Sequence, residues 1–379
     1  MTPRSVIGTT DRRHGERLRI GIIAPPGVPV PPPAYGGTEL VIDVLARGLA
    51  ARGHYVQLFA SGDSKCPVPV RSVFPRAVGT TAPATYELHH LEKAYEAFVG
   101  RVDLIHDHSF FGPLFAHATH CETPVVTTIH GLIAPDMEGA YESLSRSVSV
   151  VAISMNQRTS APRVRVESVI PHGIDVATYP FSDAPDDYVL FLGRMHPDKG
   201  ARRAVLAARA AGVPIRLAAK MWEPLERRYF EDQVEPLLRP DAVYVGEVGI
   251  GEKRALLRGA RALLNPIRWR EPFGLVMVEA LSCGTPVISF GEGSAPEIVR
   301  HGVNGFLVED EADMVAAIAK IDTIDRADCR RDAIERFDAR RMVLAYEQLF
   351  VRVSSGASEL RARPALRVNA GGLVPLAVA

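Results

Sequence analysis

Short apolar segments alternate with amphipathic helical patterns along most of this chain. The first apolar segment is RIGIIA at residues 19–24, and a helical pattern with leucine and valine on one face follows it at residues 39–52. Unbroken apolar runs of this length are typical of strands that a sheet buries on both faces. The alternation therefore predicts a doubly wound α/β fold with parallel sheets, whose ligands bind at the carboxyl ends of the strands.

The pattern of strands and helices starts a second time after a segment rich in proline and aspartate. We predict two series of strands, at residues 19–24, 55–60, 103–108, 124–130 and 149–154 and then at residues 188–194, 214–219, 242–245, 262–266 and 286–290. The chain thus divides into two Rossmann-like domains, residues 18–174 and 175–337, that face each other across a cleft. We expect residues 1–17 to be a disordered extension and residues 354–379 to be a loosely ordered tail.

The composition fits a folded protein of 379 residues, of which 47% are hydrophobic and 23% are charged. Basic and acidic residues number 44 each, and the resulting net charge of zero gives no general attraction to nucleic acid. Peripheral membrane contact through local basic residues stays compatible with this balance, but no apolar run is long enough to predict a transmembrane segment. Four cysteines without a CxxC pair, and a polar N-terminus without a secretory pattern, favour a cytoplasmic protein.

The segment EPFGLVMVEALSCGTPVI at residues 271–288 carries the strongest signal for a binding site. Glu271 lies just before a predicted helix and Glu279 about two turns into it, so their carboxylates would be about 10 Å apart. The helix N-terminus between them favours an anion such as phosphate, and Gly274 lets a ligand approach the backbone. This arrangement predicts a site for a sugar, a diphosphate and a ribose in sequence. Two ordinary solvated glutamates are the alternative, which is disfavoured because Glu279 lies in a largely apolar helix.

A second anion site is predicted in GRMHPDKG at residues 193–200, at the end of the strand that opens the second domain. Arg194 and Lys199 flank a turn there, and together they would neutralise a diphosphate as it becomes a leaving group. In the first domain, Gly36 and Gly37 precede a helix and permit a tight turn against a ligand. Their loop lacks the spacing of a dinucleotide fingerprint or a P-loop, which weakens the case for an NAD enzyme or an ATPase.

The twelve histidines raise the question of a metal site, above all His106 and His108 in one predicted strand. We expect these two side chains to point to opposite sides of the strand and therefore not to chelate a metal together. His130 ends another predicted strand at the edge of the cleft and precedes Gly131, so we expect it to contact substrate. The sequence thus predicts no metal ligands.

Several motifs together resemble family 4 glycosyltransferases, the glycogen synthase-like group 1 enzymes, which are retaining and have the GT-B fold. These motifs are the segment of the two glutamates, GRMHPDKG, IPHGID at residues 170–175, HGVNGFLV at residues 301–308 and the loop PPPAYGGTE. They occur in the family's order between residues 19 and 353. The resemblance implies transfer of a hexosyl group from a nucleoside-diphosphate sugar to a hydroxyl acceptor, without a metal or other cofactor and with UDP-sugars slightly favoured. It also implies that the first domain is on the acceptor side and that a helix at residues 338–353 returns to it.

The resemblance also implies roles for individual residues. Glu271 would lie at the donor sugar near the reacting carbon, Glu279 would bind the ribose, and Arg194 and Lys199 would bind the diphosphate. His130 would lie at the donor sugar, and with Glu271, Arg194 and Lys199 it makes up the catalytic candidates. The remaining substrate contacts are implied for the glycine loop and for the amides around the start of the helix, at Gly36, Gly37, Phe273, Gly274 and Leu275.

Two alternatives to a transferase stay open at the level of the sequence. A non-hydrolysing sugar-nucleotide 2-epimerase would share the architecture but would need no acceptor. A non-catalytic nucleotide-sugar-binding protein would bind a nucleoside diphosphate without turnover. Incubation with the donor alone separates the epimerase from the transferase.

Overall fold

The computed structural model describes residues 17–356 of the chain. The predicted disordered extension and the predicted tail fall almost entirely on residues 1–16 and 357–379, which lie outside the described residues. Two parallel sheets, each covered by helices, make up the described part. The predicted fold class is therefore confirmed.

The first sheet contains seven parallel strands within the described range, in the order β3-β2-β1-β4-β5-β6-β7. They are β1 (Arg19–Ile23), β2 (Tyr55–Phe59), β3 (Val70–Arg71), β4 (Leu104–Asp107), β5 (Val125–Thr128), β6 (Ser149–Ala152) and β7 (Val166–Val169). Its helices are α1 (Gly37–Ala51), α2 (Ala84–Phe98), α3 (Gly112–Ala118), α4 (Glu138–Leu144) and α5 (Met155–Ser160). The central strands β4, β5 and β6 are buried along their whole length, as expected for a sheet covered on both faces.

The second sheet contains six parallel strands among the described residues, in the order β10-β9-β8-β11-β12-β13. They are β8 (Val189–Arg194), β9 (Ile215–Lys220), β10 (Ala242–Gly246), β11 (Leu263–Asn265), β12 (Val287–Phe290) and β13 (Gly305–Val308). The remaining helices are α6 (Ala201–Ala210), α7 (Pro224–Tyr229), α8 (Ile250–Gly259), α9 (Leu275–Ser282), α10 (Ala295–Ile298), α11 (Glu311–Ala319), α12 (Arg326–Phe337) and α13 (Ala339–Ser354). A single turn of 3₁₀ helix at Pro197–Lys199 follows β8.

The last helix, α13, belongs to the core of the first sheet. Its Met342, Val343 and Tyr346 are buried in one cluster with apolar side chains of β1 and α1. Gly48 of α1 lets the two helices approach closely, because a Cβ atom there would lie 2.4 Å from Cγ2 of Val343. The chain therefore crosses from the first sheet to the second and then returns.

The two crossings between the sheets are joined by backbone hydrogen bonds. The N–H of Ile174 donates to the carbonyl of Phe337 over 3.0 Å, and the N–H of Ala339 donates to the carbonyl of Ile174 over 2.8 Å. A Cβ atom at Gly173 would lie 2.9 Å from Cα of Ala339, so this contact requires glycine. The junction holds the carboxyl ends of the two sheets on facing sides of one cleft.

Candidate active site

The described residues form one large cleft of about 530 Å³ between the two sheets. Loops from the carboxyl ends of strands in both sheets line it, as expected for doubly wound sheets. Tyr35, in the loop before α1, and Trp222, in the loop after β9, meet edge to face with ring centroids 6.0 Å apart. The volume is within the range of pockets that bury a small organic ligand.

Glu271 and Lys199 meet in this cleft as an ion pair. The ammonium of Lys199 donates directly to Oε2 of Glu271, and both side chains are largely buried. The loop after β8 supplies the lysine, and the loop between β11 and α9 supplies the glutamate. The structure thus brings together two residues that the sequence placed in separate motifs.

The N-terminus of α9 opens onto the same cleft. Gly274 caps the helix with φ of 89°, a left-handed conformation that favours glycine, and the amides of Leu275 and Val276 follow it. Phe273 is buried before the cap, and its carbonyl accepts a hydrogen bond from the hydroxyl of Ser294. Because the first N–H groups of a helix lack helical acceptors, this end of α9 is suited to an anion.

Glu279 lies deeper along α9 and is buried, yet it also lines the cleft. Its Oε1 accepts hydrogen bonds from the hydroxyl of Tyr179 over 2.7 Å and from the ammonium of Lys253 over 2.5 Å. Burial, together with this carboxylate, raises the pKa of Tyr179 far above its ordinary value, so the phenol stays a donor. Sequence reasoning missed Tyr179 and Lys253, since neither lies in a motif with Glu279.

Arg194 ends β8 but is not among the residues that line the cleft. Its guanidinium lies 3.9 Å from Oε1 of Glu226. Lys220, at the end of the neighbouring strand β9, lines the cleft and also pairs with Glu226, over 3.3 Å. Its ammonium lies 4.4 Å from the centre of the Trp222 ring. Sequence reasoning missed Lys220, although a lysine at the carboxyl end of a strand was a usable signal.

The glycine loop approaches this site from the first sheet. Gly36 has φ of 157°, and a Cβ atom there would lie 2.7 Å from Cβ of Pro32. A Cβ atom at Gly37 would lie 3.1 Å from Cδ1 of Leu275, the first residue of α9. The two glycines therefore let α1 and α9 place their N-termini close together on the cleft.

Glu39 lies in the first turn of α1 and is a cleft residue that sequence reasoning missed. The side chain is buried, and burial raises the pKa of its carboxyl to about 7. Near neutral pH this group therefore changes charge beside the glycine loop.

The prediction for His106 and His108 was wrong. Side chains alternate along a strand, so residues two apart share a face. The two rings accordingly lie with centroids 4.0 Å apart, and Nε2 of His108 is 3.2 Å from Nδ1 of His106. Even so, residues 17–356 contain no group of three or more His, Cys, Asp or Glu side chains that could hold a metal ion.

His130 follows β5 and lines the cleft. Its Nε2 lies 2.8 Å from Nδ1 of His108, and its Nδ1 lies 3.3 Å from Nε2 of His172. Burial lowers the pKa of His130 to about 4, so the ring is neutral at neutral pH. Since both ring nitrogens have histidine partners, a hydrogen bond from His130 to a substrate requires one of these contacts to break.

The row of four histidines continues away from the cleft. Nε2 of His106 lies 2.8 Å from Oγ1 of Thr128, which lies 2.7 Å from the hydroxyl of Tyr346 in α13. Burial, with the neighbouring imidazoles adding to its effect, lowers the pKa values of His106, His108 and His172 as well. The row is therefore an uncharged polar network that connects the cleft with α13.

The described chain also lacks any helix with the length and apolar character needed to cross a membrane. All four cysteines fall within the described range and are free thiols.

Comparisons with known proteins agree on one family. Residues 35–178 match the family model Glycosyltransferase Family 4, and residues 186–322 match the family model Glycosyl transferases group 1. Glycogen synthase of Mycobacterium tuberculosis is 27% identical over 88% of this chain and 95% of the relative. Phosphatidyl-myo-inositol mannosyltransferase of Mycolicibacterium smegmatis is 29% identical over 79% of this chain and 83% of the relative.

Solved structures with the same fold cover nearly the whole described chain. AviGT4, a glycosyltransferase involved in avilamycin A biosynthesis, matches with a TM-score of 0.69 and 26% identity, over 89% of this chain and 98% of that one. Anabaena Alr3699/HepE, solved in complex with UDP and glucose, matches with a TM-score of 0.71 and 20% identity, over 88% and 99%. With the two family models spanning most of residues 35–322, this chain belongs to the group 1, family 4 glycosyltransferases and is an enzyme of the GT-B fold.

Proposed function

We propose that this glycosyltransferase moves a hexosyl group from a nucleoside-diphosphate sugar to a hydroxyl acceptor, with retention of configuration and without a metal ion or other cofactor. The observation that carries the proposal is that Glu271, Lys199, Glu279 and the N-terminus of α9 all line one cleft, opposite the glycine loop. Acidic groups for hydroxyls thus lie on both sides of an anion site.

The donor would lie along α9. The diphosphate would accept hydrogen bonds from the amides at Leu275 and Val276 and from the ammonium of Lys199. Glu279 would bind the ribose hydroxyls through its Oε2, because Oε1 is held by Tyr179 and Lys253. Glu271 would accept hydrogen bonds from the hydroxyls of the sugar.

The reaction forms a bond from the acceptor oxygen to the anomeric carbon and breaks the bond from that carbon to the phosphate oxygen. Lys199 and the helix N-terminus would stabilise the negative charge that grows on the diphosphate. The leaving phosphate would take the acceptor's proton on the same face of the sugar, so that configuration is retained and no separate base is needed. The resemblance of the sequence motifs to those of retaining family 4 enzymes supports this part of the proposal.

The two domains would bind different substrates. Residues 18–174, together with the returning segment 338–353, would form the acceptor side, and residues 175–337 would hold the donor. The cytoplasm is the compartment that we propose, because free thiols are typical of reducing compartments.

A thermal-shift panel of UDP, GDP and ADP and their glucose and mannose conjugates tests donor binding. We expect one base to stabilise the protein, by about 2.7 kcal/mol at 100 times its dissociation constant. UDP-glucose is the first probe, since HepE, of the same fold, is solved in complex with it. The absence of any thermal shift at millimolar ligand would contradict the proposal. Formation of an epimer from the sugar nucleotide alone would show instead that the protein is an isomerase.

A further inference from the structure

Trp269 lies behind the ion pair of Lys199 and Glu271 and contacts both partners. Its indole N–H donates to Oε2 of Glu271 over 2.9 Å. The ammonium of Lys199 lies 5.2 Å from the centre of its ring, within the range of a cation–π interaction. Trp269 is not among the residues that line the cleft, so a bound donor would meet Glu271 and Lys199 in front of it.

The two hydrogen bonds to Glu271 end on the same carboxylate oxygen. Oε2 of Glu271 accepts from both Trp269 and Lys199, which leaves Oε1 without a side-chain donor among the described contacts. The N–H of an indole is fixed in the ring plane, so this hydrogen bond restrains the position of Oε2. Oε1 of Glu271 can therefore accept a hydrogen bond from a ligand hydroxyl in the cleft while Oε2 stays bound to the protein.

The hydrogen bond from Trp269 to Glu271 also has a role when the sugar nucleotide binds. A diphosphate attracts the ammonium of Lys199 away from Glu271, because both anions compete for one flexible lysine. Without Trp269, the largely buried carboxylate of Glu271 would then have no side-chain donor among the described contacts, which is costly. The indole N–H of Trp269 stays in place during this exchange and keeps Glu271 hydrogen-bonded.

We propose that Trp269 is a positioning residue, which holds Glu271 in its sugar-binding orientation while Lys199 moves from the carboxylate to the donor diphosphate. The proposal rests on the proposed function of the cleft. It adds a residue outside the motifs of the sequence and outside the cleft lining.

Two variants separate the hydrogen bond to Glu271 from the cation–π contact with Lys199. Trp269→Phe keeps a ring face for Lys199 and removes the N–H, whereas Trp269→Leu removes both. We expect Trp269→Phe to lower turnover of the sugar nucleotide that responds in the panel by roughly 10- to 100-fold, the loss typical of one hydrogen bond to a charged group. Its dissociation constant for UDP, or for the responding nucleoside diphosphate, should stay within about twofold of the wild type, because Glu271 contacts the sugar and not the diphosphate in the proposed binding mode. Trp269→Leu should also weaken diphosphate binding.

A spectroscopic test needs no ligand. The chain has two tryptophans, so Trp222→Phe leaves Trp269 as the sole tryptophan emitter. We expect the emission maximum of Trp222→Phe to differ from that of Trp222→Phe with Glu271→Gln, since the second substitution removes a charged acceptor from the indole N–H. Identical emission spectra would overturn the contact.

The outcomes are distinct. Wild-type turnover by Trp269→Phe would overturn the proposal, and so would an equal loss of UDP affinity, turnover and melting temperature, which indicates a structural role alone. Failure of the wild type to bind any nucleotide of the panel would contradict the proposed function. In that case a difference in emission would still support the Trp269–Glu271 contact.

Discussion

At the scale of single residues, the ion pair of Lys199 and Glu271 is the chemical centre of the cleft. Each side chain is about 16% exposed, so water screens the pair only in part. The lysine cancels the glutamate's charge until a second anion arrives. In the proposed reaction this arrangement would supply a cation to the diphosphate without leaving a buried charge unpaired beforehand.

Removing either partner is expected to lower turnover strongly. We predict that Lys199→Ala or Glu271→Ala reduces turnover of the responding sugar nucleotide by roughly 100- to 10,000-fold, the loss typical of an electrostatic catalytic group. Steady-state release of the nucleoside diphosphate measures this, with Lys320→Ala on the exposed end of α11 as the lysine control. Turnover near that of the wild type in a folded Lys199→Ala protein would contradict the assigned role.

Glu39 is expected to make binding at the proposed donor site dependent on pH. Because burial raises the pKa of its carboxyl to about 7, the group gains a negative charge as pH rises through that value. We predict that UDP-glucose binds roughly three- to tenfold more weakly at pH 8 than at pH 6, since like charges repel in a partly buried cleft. Calorimetric titration at both pH values measures the change, and Glu39→Gln should remove most of it. An equally strong dependence in Glu39→Gln would contradict the assignment.

The sequence located the residues that lie inside motifs, but not their partners. Glu271 and Gly274 could be predicted because helix signals fix their position next to an N-terminus, and Lys199 because it follows the strand that opens the second domain. Tyr179 and Lys253 could not, since the fold brings them to Glu279 from other parts of the chain.

At the scale of elements, the start of α9 is where we propose that the diphosphate binds. The left-handed conformation of Gly274 turns the chain so that the helix begins at the cleft. A Cβ atom at this position would lie 2.5 Å from Cε of Met277 and would also strain the backbone.

We therefore predict that Gly274→Ala destabilises the protein by about 1–3 kcal/mol, the usual cost of a non-glycine residue in strained backbone. It should also weaken binding of the responding nucleoside diphosphate about tenfold or more, because the helix start shifts. Urea unfolding and calorimetry measure the two effects. Gly139→Ala in α4 is the matched control, since a Cβ atom there has open space; an equal effect of both substitutions would contradict the prediction.

The central strands and the edge strand β10 could be predicted from their apolar runs, whereas the edge strands β3, β7 and β13 could not. β3 has two residues and β7 is only half-buried, so neither presents a continuous apolar run. β13 lies in the motif HGVNGFLV, which contributes to the family resemblance but was not predicted to be a strand. Short helices such as α10, with four residues, are too brief for a periodic pattern.

At the scale of the whole molecule, the histidine row couples the cleft to the returning helix and to acid stability. The pKa values of His106, His108, His130 and His172 are lowered from the ordinary 6.5 by burial. An unfolded chain therefore binds more protons than the folded chain once the pH falls below about 6.5. Stability is fully present above that pH and is lost as the pH falls.

We predict that the histidines' contribution to the free energy of unfolding is nearly constant from pH 8 to 7 and falls between about pH 6.5 and 4, by up to about 1.4 kcal/mol per pH unit for each histidine. The raised pKa values of Glu39 and Asp107 offset part of this fall, because each of these two carboxyls contributes a slope of opposite sign. Urea unfolding at a series of pH values measures the slope. His130→Asn should reduce the slope, because it removes one of the four buried imidazoles. A flat profile down to pH 5 would show that the row is not neutral in the folded protein.

The central claim is that α9, Lys199 and the two glutamates bind a nucleoside-diphosphate sugar in the cleft between the sheets. A crystal structure with the nucleotide that responds in the thermal-shift panel tests it most directly. We predict the diphosphate within hydrogen-bond distance of the Lys199 ammonium and of the amides at the start of α9, with the ribose on Glu279. A nucleotide bound outside this cleft, or bound inside it without contact to α9, would contradict the claim.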